Sequence, residues 1–140
     1  MKKVLIINGP NINMLGIREP EIYGTQTFSE LIEYISEEAA KNNMKPLFFQ
    51  SNSEGEIITE IQNAYGKVDG IVINPGAYAH TSIAIADALK AVAIPTVEVH
   101  LTDTGKREPY RKHSYISEAC IAVVMGKGIK GYAKALSILE

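Results

Sequence analysis

Five short apolar runs, separated by amphipathic stretches, constrain this chain more than any other feature of its sequence. They fall at residues 3–8 (KVLIIN), 45–50 (KPLFFQ), 69–74 (DGIVIN), 96–100 (TVEVH) and 119–126 (ACIAVVMG). Each is strand-sized, several are rich in Val and Ile, and Gly, Pro or Asn bounds them. Near-continuous apolar character predicts strands covered on both faces, as in a parallel sheet. Helical spacing joins Phe28, Leu31, Ile32, Ile35 and Ala39, after a Thr27/Glu30 capping-box signal. Ser53 and Glu56 repeat that signal before Ile57, Ile58, Ile61, Ala64 and Tyr65. Ile85, Ala86, Leu89 and Val92 predict a third helix, stopped near Pro95, and Ile129, Tyr132, Ala133, Leu136 and Leu139 a last one. A short helical turn is expected near residues 114–118. Alternating strands and helices imply right-handed crossovers and one doubly wound α/β sheet. At 140 residues the chain reads as a single domain, 1–140.

Two connections exceed the usual βα loop of about 2–6 residues: residues 9–26 after the first strand and 101–113 after the fourth. Ligands bind beyond the carboxyl ends of strands in open α/β sheets, and here those ends are polar: Asn8 with Asn11, Gln50 with Ser51 and Asn52, Asn74, and His100. As a set they predict a polar pocket. The chain's three arginines, Arg18, Arg107 and Arg111, all lie in the two long loops. Arg18 and Arg111 are read as carboxylate-binding forks, Arg107 as a surface residue. Glu98 and His100 share a face of the fourth strand. A carboxylate there orients the imidazole and favours its protonated form, which suits a general acid; the competing reading is an exposed charge pair at the sheet's end. Tyr23 follows Arg18 by five positions. A tyrosine serves as a base only if its pKa, about 10, is lowered, and spacing alone leaves Tyr23 open between packing, binding and base chemistry. His113 reads as a surface or packing residue.

Charge excludes other classes. With 14 basic against 16 acidic residues and no basic run, no nucleic acid is expected as a partner. The lone Cys120 excludes an internal disulfide and a multi-cysteine zinc site. The histidines show no compact ligand spacing, so no metal is expected. The opening apolar stretch, residues 4–7, is too short for a signal peptide's core or a membrane span, and the chain reads as a cytoplasmic protein with no membrane partner. Residues 126–131 match G-x-G-x-x-G, but a dinucleotide site needs a further strand and an acidic residue about 20 positions on. Those glycines are read as a tight turn before a closely packed helix.

Taken in order, NGPNINMLG at 8–16, REPEIYG at 18–24, QSNSEG at 50–55, NPGAYAHTS at 74–82, EVHL at 98–101 and REPYRKHS at 107–114 make the chain resemble the type II 3-dehydroquinate dehydratases over essentially its whole length. The resemblance implies a flavodoxin-like sheet of five parallel strands in the order 2-1-3-4-5, with helices on both faces. It implies cofactor-free anti elimination of water from 3-dehydroquinate, giving 3-dehydroshikimate through an enolate, in the shikimate pathway. The family's base falls on Tyr23 and its activating arginine on Arg18. The asparagine holding an enolate-stabilising water falls on Asn11, and the general acid on His100 with Glu98 as its partner. Substrate-binding positions fall on Asn74, His80 and Arg111, with Leu101 and Thr102 as a carboxylate cradle. Asp87 is expected to reach a neighbouring subunit's substrate, in a dodecamer built from trimers.

Three positions depart from the family's pattern. Asp103 stands where asparagine is usual, and its charge weakens binding of an acid unless it faces away or is paired. Ser53 and Lys112 each replace a common histidine. A flavin- or phosphate-binding module on the same fold would need a Ser/Thr-rich first loop, and a response-regulator-like domain an acidic cluster at the strand ends. The sequence offers neither.

Overall fold

In a computed structural model, which describes residues 1–140, the five runs form β1 (Lys2–Asn8), β2 (Met44–Gln50), β3 (Gly70–Asn74), β4 (Thr96–His100) and β5 (Ala122–Met125). All neighbours pair in parallel, in the order β2-β1-β3-β4-β5. This is the flavodoxin-like topology expected. Register places Asn8 level with both Gln50 and Asn74, so three polar strand ends emerge side by side.

The helices are α1 (Pro20–Tyr23), α2 (Phe28–Lys41), α3 (Glu54–Asn63), α4 (Ile83–Val92) and α5 (Lys130–Ile138). Strand alternation divides the core. Val4, Ile6, Val72, Val97 and Val99 join α2 and α5 residues such as Leu31, Ile35, Tyr132 and Leu136. Leu5, Ile7, Ile71 and Ile73 join α3 and α4 residues such as Ile57, Ile61, Ile85 and Leu89. Thr27 closes a full capping box: its hydroxyl accepts the Glu30 N–H at 3.1 Å, and the Glu30 carboxylate accepts the Thr27 N–H at 3.3 Å. Before α3 only half the box forms. Ser53 accepts the Glu56 N–H, but the Glu56 carboxylate takes the Ser51 hydroxyl instead. Ala93 ends α4 in the left-handed region, two residues before Pro95.

Burial on both faces holds for β1, apart from its first two residues, and for β3 and β4. It fails at the edges: Leu47, Phe48 and Val123 are more than a third exposed. The fifth run is also shorter than expected. Its first residue ends a 3-10 turn, Ser117–Ala119, which replaces the turn predicted a few residues earlier. Both long loops are structured. The first holds a 3-10 turn, Ile12–Met14, and α1. The second holds turns at Thr104–Lys106 and Pro109–Arg111. Two glycines let the loops after β1 and β3 meet: a Cβ on Gly9 would lie 2.6 Å from the Pro75 carbonyl oxygen, and one on Gly76, at φ 60°, 2.9 Å from that of Pro10.

Candidate active site

Beyond the carboxyl ends of β1, β3 and β4, the two long loops enclose a cavity of about 50 Å³. Asn11, Arg18, Tyr23, His80, His100, Leu101, Thr102, Arg107 and Arg111 all line it. Residues from 11 to 111 meet there because level strands of a parallel sheet discharge their loops at one end.

Tyr23, the last residue of α1, is held between two guanidinium groups. Arg107 Nη1 donates to the Tyr23 hydroxyl at 2.9 Å and lies within 3.4 Å of Thr102 Oγ1. The Arg18 guanidinium carbon sits 4.2 Å from the Tyr23 ring centroid, a cation–π distance. Arg18 thus meets the ring, while Arg107, 5.1 Å from the ring centroid, also meets the hydroxyl. Glu108 bridges outward, 2.9 Å from Arg111 Nε and 3.7 Å from Arg107 Nε. The Arg111 contact is too poorly aligned to count as a hydrogen bond for that nitrogen.

In the same cavity His100 is paired with Glu98. Nε2 lies 2.5 Å from Glu98 Oε2, and the side chains are 8% and 0% exposed, so the pair is buried rather than an exposed charge pair at the sheet's end. No protein group bonds Nδ1, which leaves that atom for the cavity. Burial pushes the Glu98 carboxyl up, but hydrogen bonds from His100, Ser117 and Ser114 and the imidazole's charge outweigh it and hold the carboxyl below the ordinary glutamate value. Burial, with the Glu98 charge adding to it, pushes the nearby Cys120 thiol up to about 12. The His80 and His100 rings stack with centroids 6.3 Å apart, and His80 Nδ1 lies 2.8 Å from the His113 carbonyl oxygen. His80 Nδ1 therefore donates, leaving its Nε2 free.

The dehydroquinase class II family model matches residues 2–140. The chain belongs to the class II dehydroquinases. The 3-dehydroquinate dehydratase of Caldicellulosiruptor saccharolyticus is 55% identical over 100% of this chain and 97% of its own. The crystal structure of the type II dehydroquinase from Butyrivibrio crossotus superposes with a TM-score of 0.97 at 46% identity, covering 99% of this chain and 97% of that one. The corresponding Propionibacterium acnes enzyme gives 0.95 at 40% identity, covering 99% and 96%.

As a class II dehydroquinase, the chain is a hydro-lyase whose expected site residues divide into two groups. Tyr23, Arg18, Asn11, His100, His80, Leu101, Thr102 and Arg111 line the cavity, with Glu98 directly behind His100. Asn74 and Asp87 do not line it. Asn74 is 2% exposed and its amide is engaged at both ends: Nδ2 donates to the Tyr132 hydroxyl at 3.0 Å, and Oδ1 accepts the Gly76 N–H at 3.2 Å. Asp87 is exposed on α4. Asp103 does not line the cavity, and its carboxylate accepts the Gly105 N–H at 3.0 Å. Ser53 is spent as the α3 cap. Arg107 corrects the sequence reading. It is not a surface residue; its side chain is 13% exposed and bonds the Tyr23 hydroxyl. The available signal was the confinement of all three arginines to the two long loops.

Proposed function

We propose that this dehydroquinase removes water from 3-dehydroquinate with Tyr23 and His100 as its base and acid. The observation that carries the reading is that Tyr23 and His100 line one cavity, the Tyr23 hydroxyl bonded to Arg107 and the His100 ring to Glu98. Tyr23, as tyrosinate, takes the proton from the carbon next to the ketone; Arg107 and Arg18 bring positive charge to the oxygen and ring that carry its negative charge. The electron pair moves onto the ketone oxygen as an enolate, which a water held by Asn11 stabilises. The enolate collapses, the carbon–oxygen bond to the β-hydroxyl breaks, and His100 protonates the departing oxygen to release water. Arg111 and His80 hold the polyol acid, and Leu101 and Thr102 cradle its carboxylate. No cofactor is required by this sequence of steps.

The cavity has room for only a few waters, less than a six-membered ring acid needs. Substrate entry therefore requires the first long loop, carrying Arg18 and Tyr23, to lift and then close again, excluding water from the reacting atoms. We also assign the protein to the cytoplasm and to a homo-oligomer, a dodecamer built from trimers, in which Asp87 on the outer face of α4 serves a neighbouring subunit's site.

The test is direct. Chelator-treated protein mixed with 3-dehydroquinate should give a prompt rise in the ultraviolet absorbance of a conjugated enone acid. Arg107→Met should lower kcat by about 10²-fold, the scale of losing one charge-stabilising donor. No rise from folded, assembled protein would reject the reaction; an unimpaired Arg107→Met would remove Arg107 from the chemistry.

A further inference from the structure

We propose that Ser114 and Ser117 are positioning residues for the elimination, acting on His100 through the Glu98 carboxylate. The inference rests on His100 as the acid and adds what aims it. Glu98 is 0% exposed and accepts from three side chains. Ser117 Oγ donates to Oε1 at 2.7 Å; Ser114 Oγ donates to Oε2 at 2.9 Å, beside His100 Nε2 on the same oxygen.

The Ser114 hydroxyl has little freedom to do otherwise. Its oxygen accepts the Ile116 N–H at 3.2 Å and the Ser117 N–H at 3.3 Å. With its lone pairs occupied, its one proton points at Glu98. The segment itself is pinned to the cavity wall, because the Tyr115 N–H donates to the Ala79 carbonyl at 2.8 Å and the His113 carbonyl receives His80 Nδ1. Two fixed donors on a carboxylate fix its plane, and the plane fixes the imidazole that shares Oε2. Without them Oε1 has no partner and the carboxylate can turn, taking the ring with it. Neither serine lines the cavity, so neither is placed to bind substrate. Both lie just beyond the loop that carries Arg107 and Arg111, so the segment that closes the site also sets its acid.

The experiment compares Ser114→Ala, Ser117→Ala and the double variant in the wild-type and His100→Gln backgrounds. Each single change should lower kcat about tenfold, the scale of a hydrogen bond to a charged group, with KM within about twofold. Ser117→Thr, which keeps the hydroxyl, should restore kcat. In His100→Gln, the double alanine change should cost nothing further, because its target is gone. Unchanged kcat, a loss carried by KM, or a loss that multiplies in the His100→Gln background would overturn the proposal. Wild-type kcat in His100→Gln alone would instead reject His100 as the acid, whatever the serines do. Should Ser117→Ala not fold, Ser117→Cys supplies the same test, since its thiol is a weaker donor of similar shape.

Discussion

Tyr23→Phe is expected to lower turnover by about 10³-fold or more, near the upper part of the range for a general base, while substrate binding changes little. The change removes one oxygen. The ring that sits 4.2 Å from Arg18 stays, so the loop keeps its packing and its closed form. What disappears is the atom that takes the proton, together with the partner of Arg107 Nη1. Arg107 is not stranded, because Thr102 Oγ1 and Glu108 remain near it. Calorimetric titration with 3-dehydroquinate should therefore report affinity within a few fold of wild type, and the enone absorbance should not rise. If turnover persists at a tenth of wild type or more, Tyr23 is not the base, and its hydroxyl serves only to hold the loop.

The division between what could and could not be read in the sequence has physical causes. Strand and helix positions were legible because hydrophobic period and capping chemistry are local, whereas the strand order came only from the resemblance to a family. Thr27 and Glu30 announce α2 three residues apart and then bond as announced. The Glu98–His100 pair was legible for the same reason, since two positions on a strand fix a shared face. Its burial was not, because it depends on what packs over β4: Ser114 and Ser117 arrive from 16 and 19 residues away. Arg107 was misread on a longer span still. Its partner Tyr23 is 84 residues distant, and no spacing rule reaches across the three intervening helices, α2, α3 and α4. The edge strands misled in the opposite sense, because an apolar run does not reveal whether it lies inside or beside the sheet. Leu47, Phe48 and Val123 look like core in sequence and are partly exposed in the chain. Most of the family-implied positions converge on one cavity, but Asn74 and Asp87 stand back from it. Asn74 is tied to Tyr132 and Gly76, and Asp87 is exposed on α4.

His100→Gln is the complementary expectation: a fall in kcat of about 10²–10⁴-fold, the contribution of a general acid, with KM nearly unchanged. Hydroxide leaves poorly from carbon, so an enolate without a proton donor returns its proton instead of expelling oxygen. The two variants should therefore part company in deuterated water. Tyr23→Phe should neither form product nor exchange the substrate proton beside the ketone. His100→Gln should form little product yet still exchange that proton, because Tyr23 and its arginines are intact. Loss of exchange in His100→Gln would mean that the imidazole also serves proton abstraction, and the two roles would have to be redrawn. The same variant should change acid stability in a predictable direction. Glu98 is held below the ordinary glutamate pKa in the folded chain. Its contribution is thus full above the unfolded value, about 4.3, and is lost as pH falls through the lower folded value. Removing the imidazole takes away a hydrogen bond and a charge that both favour the carboxylate, while burial, which opposes it, stays. The folded value rises, less of the contribution survives, and unfolding on acidification should begin at higher pH than in the wild type. Urea midpoints measured from pH 7 down to pH 3 would show the shift. Coincident curves for the two proteins would mean that Ser114 and Ser117 alone hold the carboxylate ionised.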